Sequence, residues 1–549
     1  MKRYVLGLDF GTLSCRAVIV DALTGDIAAE SVCEYTHGVM DVELPDGTPL
    51  PPQSAIEHPA DYINAMKTTI ADALAASSLK AEEIEGVGVD FTACTLISVD
   101  SEAKPLCFYD EFKSDPNAYA KLWKSHSAES QARRITQIAE ERGELWLGIY
   151  GGKVSSEWML PKVLQTLEDS PRLFEAADKF VEAGDWITRL LTGSYTYAVS
   201  FAGFKAMWNA EDGFPSDEYL SAVDGRLRGI FGSKLADKVT PVENIAGYVS
   251  KQGAELFGLC EGTAVALPII DAHAGLPGSG VKGEGELMMM LGTSGCYILS
   301  TAQKKDIAGI GGYTKGAVYP SIYTYEAGQC CFGDGFDWFV KNFVPESYTQ
   351  KARENGINIH AYLRSKAREL KIGESGLMVL DWFNGNRSVL CDSDLSGMIL
   401  GLTLTTKPEH IYRALLEGVA FGAKMIIDNY TDNGIKINRV VATGGIALKD
   451  ELLMQILSDV TGLVIEVSAS TQACALGSAM YGAVACGIYS DVRDAATVMS
   501  KPTVKTYMPI EENTVKYRRL YDEYKLLHDY FGRGENDVMK RLLGIARKS

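Results

Sequence analysis

Apolar and polar positions along this chain fall into short blocks. Alternating or continuous apolar residues predict strands over 5–9, 17–21 and 27–34, the last two joined by a Thr24-Gly25-Asp26 turn. Helical spacing follows over 59–76, then a short strand over 87–90. Residues from about 100 to 260 are mixed in pattern and carry Trp123, Trp146, Trp158, Trp186 and Trp208, which read as core before they read as a ring-stacking platform. A strand over 264–270 runs into Asp271-Ala272-His273 and a glycine-rich stretch. A further strand pair, over 287–291 and 296–300, brackets Gly292-Thr293-Ser294-Gly295. A helix over 408–429 opens on a capping box, Thr406 with Glu409, and turns Ile411, Leu415, Val419 and Ile426 inward. A strand over 440–443 then enters Gly444-Gly445, and a helix over 450–461 follows.

One theme occurs twice. Leu6-Gly7-Leu8-Asp9-Phe10-Gly11-Thr12 near the start and 287–293 in the middle are each a strand that ends in a Gly-Thr turn and resumes as a second strand. Roughly half the chain separates them, which suggests two α/β halves of similar topology with a boundary near 275–285. No low-complexity stretch or charge block marks a disordered linker.

Composition narrows the function. Length alone, 549 residues, allows three or four domains or two large ones, and 46% apolar with 23% charged residues is ordinary for a globular chain with a sizeable core. The 53 basic against 71 acidic residues give a net charge of −18, which argues against nucleic acid or an anionic membrane as partner. An anionic ligand would have to be met by local backbone amides, a metal ion and one or two placed cations. Eleven cysteines with no CxxC, no HExxH and no signal-like leader predict a soluble, cytoplasmic protein without a zinc site. Glycine is in excess, 54 residues, and clusters where strands end: Gly7, Gly11, Gly86, Gly88, Gly292, Gly444 and Gly445 among them. That placement reads as backbone approaching a ligand closely.

The chemistry-bearing motifs are short. Asp9-Phe10-Gly11-Thr12 lacks the HRD loop and VAIK lysine of a protein kinase, so its meaning is local. A carboxylate at a strand end beside a Gly-Thr turn suits Mg²⁺ waters and phosphate oxygens, or an ordinary hairpin. Gly292-Thr293 is a second turn of the same kind, and Gly444-Gly445 lets a flat ring pass or merely tightens a strand–helix turn. No Walker A sequence occurs, and the GxGxxG at 278–283 precedes a strand where a dinucleotide fold needs it to follow one. Asp271, past an apolar strand and beside glycines, is either a general base for a hydroxyl or a helix N-cap. His273 reads as a hydrogen-bonded structural histidine.

Taken in order, Leu8-Asp9-Phe10-Gly11-Thr12, Asp271-Ala272-His273, Gly292-Thr293-Ser294 and Thr443-Gly444-Gly445 resemble the FGGY carbohydrate kinases of the actin-like ATPase superfamily. So does the run from Gly397 through Gly401-Leu402 to His410-Ile411 and Ala414-Leu415-Leu416-Glu417. Gly88-Val89-Asp90-Phe91-Thr92-Ala93-Cys94-Thr95, Asp115-Pro116-Asn117-Ala118, Ser155-Ser156-Glu157-Trp158, Glu326-Ala327-Gly328-Gln329 and Leu380-Asp381-Trp382-Phe383-Asn384-Gly385-Asn386-Arg387 resemble the branch acting on L-ribulose. The similarity runs to about residue 490, before a less specific helical tail of about 50 residues.

The resemblance implies two actin-like (ribonuclease H-like) lobes with an interlobe active-site cleft. Residues 1–280 would form the lobe with the sugar site and first phosphate turn, and 281–549 the ATP-binding lobe. It implies ATP-dependent phosphorylation of the terminal hydroxyl of L-ribulose in arabinose breakdown, with Mg²⁺. Asp271 is then the base; Ala93 (backbone), Lys205, Asp271 and Glu326 hold the sugar. Asp9 with the metal organises the phosphates, Gly11, Thr12, Gly292 and Thr293 bind phosphoryl oxygens, and Gly444 with Gly445 lies at the adenosine. Trp123 is followed by Lys124, Ser125, His126 and Ser127 where many family members have W-x-D-x-R, which argues against glycerol kinase and xylulokinase. Lys449-Asp450 stands where an adenosine-side Asn is frequent. Another ketose or polyol kinase, such as a D-ribulokinase, and a noncatalytic actin-like ATPase are the alternatives. Self-association into a homo-oligomer is compatible with the sequence.

Overall fold

A computed structural model describes residues 2–546. The first strands follow the apolar pattern: β1 (Tyr4–Phe10), β2 (Ser14–Asp21) and β3 (Asp26–Glu34) form an antiparallel meander. Helix α1 (Pro59–Ser77), with Pro59 in its first turn and the His58 ring accepting the Ala60 amide, leads to β4 (Ile84–Phe91). A long insertion follows, containing α2 (Met159–Asp169) and α3 (Val199–Lys205). The chain rejoins the sheet with β5 (Ile245–Tyr248), β6 (Ala264–Ala266) and β7 (Ile269–Ile270), then enters α4 (Asp271–Gly278). The single strand expected over 264–270 is thus two, because Pro268 has no N–H to give to a ladder.

The second half comprises β8 (Glu286–Leu291), β9 (Gly295–Thr301), β10 (Gly312–Lys315), β11 (Tyr323–Gln329) and α5 (Gly333–Phe343). After α6 (Pro408–Asp432) come β12 (Arg439–Thr443), α7 (Glu451–Thr461), β13 (Ile465–Ser468), α8 (Ala473–Ala485), β14 (Thr503–Tyr507) and α9 (Glu511–Gly532). Among the described residues each half builds a seven-stranded sheet. The orders β3-β2-β1-β4-β6 and β11-β9-β8-β12-β13 carry the same chain order and the same antiparallel and parallel pairings, so the halves share a five-stranded core; the antiparallel edge strand precedes its neighbour in the first half (β5 before β6) and follows it in the second (β14 after β13).

Two expectations about α6 fail. Its N-cap is Lys407, while the Thr406 hydroxyl accepts the Thr403 amide at 2.9 Å and Glu409 takes the Tyr348 hydroxyl at 2.6 Å. Ile411 is only half-buried, although Leu415, Val419 and Ile426 are core. The tail is also more than helix: β14 closes the second sheet, and α9 buries Tyr517, Tyr521, Tyr524 and His528.

The halves are joined through backbone contact. Helix α8 presents Ala475, Ser478, Ala479 and Gly482 at helical spacing, a face almost without side chains. It lies on the first sheet, where a Cβ at Gly7, Gly86 or Gly88 would stand 2.0, 2.2 and 1.8 Å from the carbonyls of Ala475, Gly482 and Ser478. Gly278 of α4 and Gly477 of α8 meet the other helix's carbonyls as closely, both at 1.8 Å. These glycines serve helix–sheet and helix–helix approach, correcting the view that they face a ligand. Around them one core mixes Val5 and Val18 with Met288, Ile298 and Val441, drawn from both sheets.

Candidate functional site

The β1–β4 register sets Asp9 opposite Asp90, and the β1–β2 register sets it opposite Arg16. Arg16 Nη1 lies 3.0 Å from Asp9 Oδ2. Asp90 is fully buried and accepts the Ser478 hydroxyl of α8 at 2.6 Å. Burial first, and the neighbouring Asp9 charge second, push its carboxyl well above the usual range. Past Asp9 the chain turns through Gly11-Thr12-Leu13, closed by Gly11 N–H to the Ser14 carbonyl at 3.0 Å. The second turn is one residue shorter, closed by Gly292 N–H to the Ser294 carbonyl at 3.0 Å. Its carbonyls are consumed inside the lobe: Gly292 accepts from Gly333 at 3.0 Å and Thr293 from Phe332 at 2.9 Å, at the start of α5. Within each turn the amides of Thr12 and Leu13, or Thr293 and Ser294, donate to no carbonyl among the described residues, which suits them to an anion.

Gly444 has φ +97°, and a Cβ there would stand 2.5 Å from the Leu291 carbonyl, so the turn after β12 sits against the end of β8. Gly445 faces open space. Asp450 is not beside it in function: it caps α7 through the Leu453 amide (3.0 Å) and pairs with Arg364 at 3.2 Å.

A second cluster lies where α3, α4 and β11 converge. Asp271 is the first residue of α4; the N-cap is Ile270, so the capping alternative does not hold. Its Oδ1 accepts the Ala272 amide at 2.6 Å. Burial pushes its carboxyl up to about 7, with the charges of Asp9 and Glu326 adding and Lys205 opposing. Lys205 Nζ lies 3.0 and 3.2 Å from the two oxygens of Glu326. Burial opposes both charges, yet the pair holds Lys205 above and Glu326 below its usual range. His273 is buried, its Nδ1 3.1 Å from the Ser200 hydroxyl and its Nε2 3.3 Å from Glu326, and burial lowers its pKa. Ala93 sits in the turn after β4. The β4–β7 register, Ile269 with Asp90 and Ile270 with Phe91, starts α4 and Asp271 beside the first cluster, so the two clusters form one site.

Several residues here escaped sequence reasoning. Asp90 was legible in principle: Val89-Asp90-Phe91 echoes Leu8-Asp9-Phe10, and the two phenyl rings stack at 4.8 Å. Trp123, half-buried, donates its indole N–H to the Thr12 hydroxyl at 3.1 Å, while Trp146, Trp158 and Trp186 are core. Arg387 pairs with Glu157 across the halves at 3.2 Å, a contact no local pattern announces.

Residues 4–278 match the N-terminal domain of the FGGY family of carbohydrate kinases, and residues 287–486 its C-terminal domain. The protein named Ribulokinase from Geobacillus thermodenitrificans is 45% identical over 546 residues, 98% of this chain and 97% of that one. Its namesake from Bacillus licheniformis is 46% identical over 96% and 97%. Similarity therefore includes the tail, beyond the expected limit near 490. Gluconate kinase from Lactobacillus acidophilus superposes with a TM-score of 0.80 over 97% of this chain and 99% of that one at 19% identity, which speaks for the fold. Plasmodium falciparum glycerol kinase with ADP does so at 0.75 and 18% over 96% and 98%. Twin sheets with a common five-stranded core, paired Gly-Thr turns and matches spanning both halves together place this chain in the FGGY family of carbohydrate kinases, enzymes of the actin-like fold that phosphorylate a sugar with ATP.

Proposed function

We propose that the chain transfers the γ-phosphoryl group of ATP to the terminal hydroxyl of L-ribulose, giving L-ribulose 5-phosphate and ADP in L-arabinose catabolism. The observation that carries the reaction is Asp271, held at the start of α4 between Asp9 and the Lys205–Glu326 pair with its pKa raised to about 7. The name of the relatives similar over nearly their whole length supports the sugar.

In this reading residues 1–280 carry the sugar site, completed by Glu326, and the first phosphate turn, and residues 281–549 bind the rest of the ATP. The backbone of Ala93, with Lys205 and Glu326, holds the ketose; its terminal hydroxyl faces Asp271. As the oxygen bonds to the γ-phosphorus, its proton passes to Asp271, and the bond to the β–γ bridging oxygen breaks, releasing ADP. Gly11, Thr12, Gly292 and Thr293 meet the phosphoryl oxygens with amides and hydroxyls, and Gly444-Gly445 lines the adenosine. Among the described residues no three or more His, Cys, Asp or Glu converge on a metal position. Asp9, near the end of β1 and before the Gly11-Thr12 turn, would be the one carboxylate to Mg²⁺, whose remaining positions water and phosphate would fill. Bound there, the ion would neutralise phosphate charge that a chain of net charge −18 does not otherwise offset. Closure of the lobes excludes water, the competing acceptor.

A coupled assay of ADP release with L-ribulose, D-ribulose, L-xylulose and the pentitols tests this. The highest kcat/KM is expected for L-ribulose; preference for a hexulose, or ATP turnover independent of sugar, would overturn it.

A further inference from the structure

Two buried ionisable side chains, Lys162 and Glu182, meet the turn that carries Ala93. Thr92 N–H continues the ladder to the Phe10 carbonyl at 3.1 Å, and the hydroxyls of Thr92 and Thr95 meet at 2.9 Å across the turn. Between them Cys94, fully inside the protein, adopts φ +59°, a left-handed conformation that a cysteine does not take unaided. Something must hold it there.

Lys162 of α2 is 1% exposed, and all three of its ammonium hydrogens go to main-chain carbonyls: Cys94, Leu122 at 2.7 Å and Lys121 at 3.2 Å. Glu182, also 1% exposed, faces the amides of Cys94 and Thr95 in the same turn and the Lys162 ammonium, without closing a short hydrogen bond. The second carbonyl held by Lys162, Leu122, immediately precedes Trp123, whose indole supports Thr12 of the first phosphate turn. One buried cation thus joins the segment offered to the sugar to the segment that braces the phosphate turn. Buried charges of this kind are costly to keep, so their retention calls for a role that an apolar pair would not fill.

We infer that Lys162, with Glu182, is a positioning device for the ketose: it locks the left-handed turn at Cys94 so that the Ala93 backbone faces the sugar. Neither residue touches substrate. The inference rests on the sugar site proposed above, with Ala93 a part of it.

The test is steady-state kinetics of the full-length enzyme bearing Lys162→Met, with L-ribulose and ATP varied in turn and D-ribulose as competitor sugar. A displaced turn should raise KM for L-ribulose by about tenfold or more, hold KM for ATP within about twofold, and narrow the preference for L- over D-ribulose. An unchanged sugar KM, or sugar and ATP values rising by the same factor, would reduce Lys162 to a stabilising residue and overturn the inference. Glu182→Gln, nearly isosteric, gives the same readouts if Lys162→Met does not fold, with a smaller rise in sugar KM expected and no rise overturning the inference. Lys205→Ala in the same series separates this inference from its foundation. If the unaltered enzyme does not phosphorylate L-ribulose, or Lys205→Ala leaves sugar KM untouched, the site reading itself falls. If Lys205→Ala weakens sugar binding and Lys162→Met does not, only the positioning role is lost.

Discussion

The two halves repeat one five-stranded core, yet the corresponding positions carry different chemistry. In the first, Asp9 is in register with Arg16 on one side and Asp90 on the other. In the second, the same lattice point is Met290, in register with Cys296 and Thr443. The first half has two carboxyls and a guanidinium beneath its Gly-Thr turn; the second has a thioether, a thiol and a hydroxyl. A fold that must bring a polyphosphate between two equivalent turns needs charge handled on one side only, because two facing carboxylate sets would repel the ligand they share. In the proposed reading, the difference at three side chains suits the first turn to a metal and leaves the second to the nucleotide.

The sharpest break is Asp271→Asn. With the base removed and the shape kept, kcat should fall by about 10²–10⁴-fold, while calorimetry should still show ATP binding. The unaltered enzyme should show an acid limb in kcat/KM with an apparent pKa near 7. Asp271 accepts a proton only when ionised, so rate rises with pH through that value and levels above it; the limb should vanish in the variant. Next, Asp9→Asn should lower kcat by about 10²–10³-fold and raise the Mg²⁺ concentration giving half-maximal rate; a normal metal titration would remove Asp9 from the metal role. Placing the first half's charge in the second is milder. Met290→Asp should weaken ATP about tenfold, the size of one unfavourable close charge, with sugar KM unchanged. The smallest effects separate adjacent glycines. Gly444→Ala, at φ +97° and against the Leu291 carbonyl, should cost about 1–3 kcal/mol in thermal or denaturant unfolding. Gly445→Ala meets nothing within 4 Å, so unfolding should be unaffected while KM for ATP rises a few-fold.

Repetition made much of this legible. A strand ending in Gly-Thr at residues 4–12 and again at 286–293 is a local pattern, and local patterns survive into structure. Asp271 was visible because it follows an apolar run. What the sequence hid is long-range. Arg16 acquires its partner by strand register, Lys162 meets Cys94 from a helix 68 residues away, and Arg387 reaches Glu157 from 230 residues away. Gly7, Gly86 and Gly88 misled for the same reason: a glycine admits any close neighbour, and only the fold says whether that neighbour is a ligand or helix α8. At Thr406 a capping pattern lost to a neighbouring turn, where the hydroxyl found the Thr403 amide first.

The seating of α8 on the first sheet also sets a timetable. Asp90 and its partner Ser478 are 388 residues apart in the chain. At about 5–20 residues per second, synthesis of that interval takes roughly 20–80 s. For that time β1 and β4 have left the ribosome while the helix that closes their glycine face has not been made. The first sheet is therefore the earliest part of the enzyme to be synthesised and among the last to be completed. A nascent chain stalled before residue 473 should present that open face to holdase chaperones, and should shed them once α8 emerges.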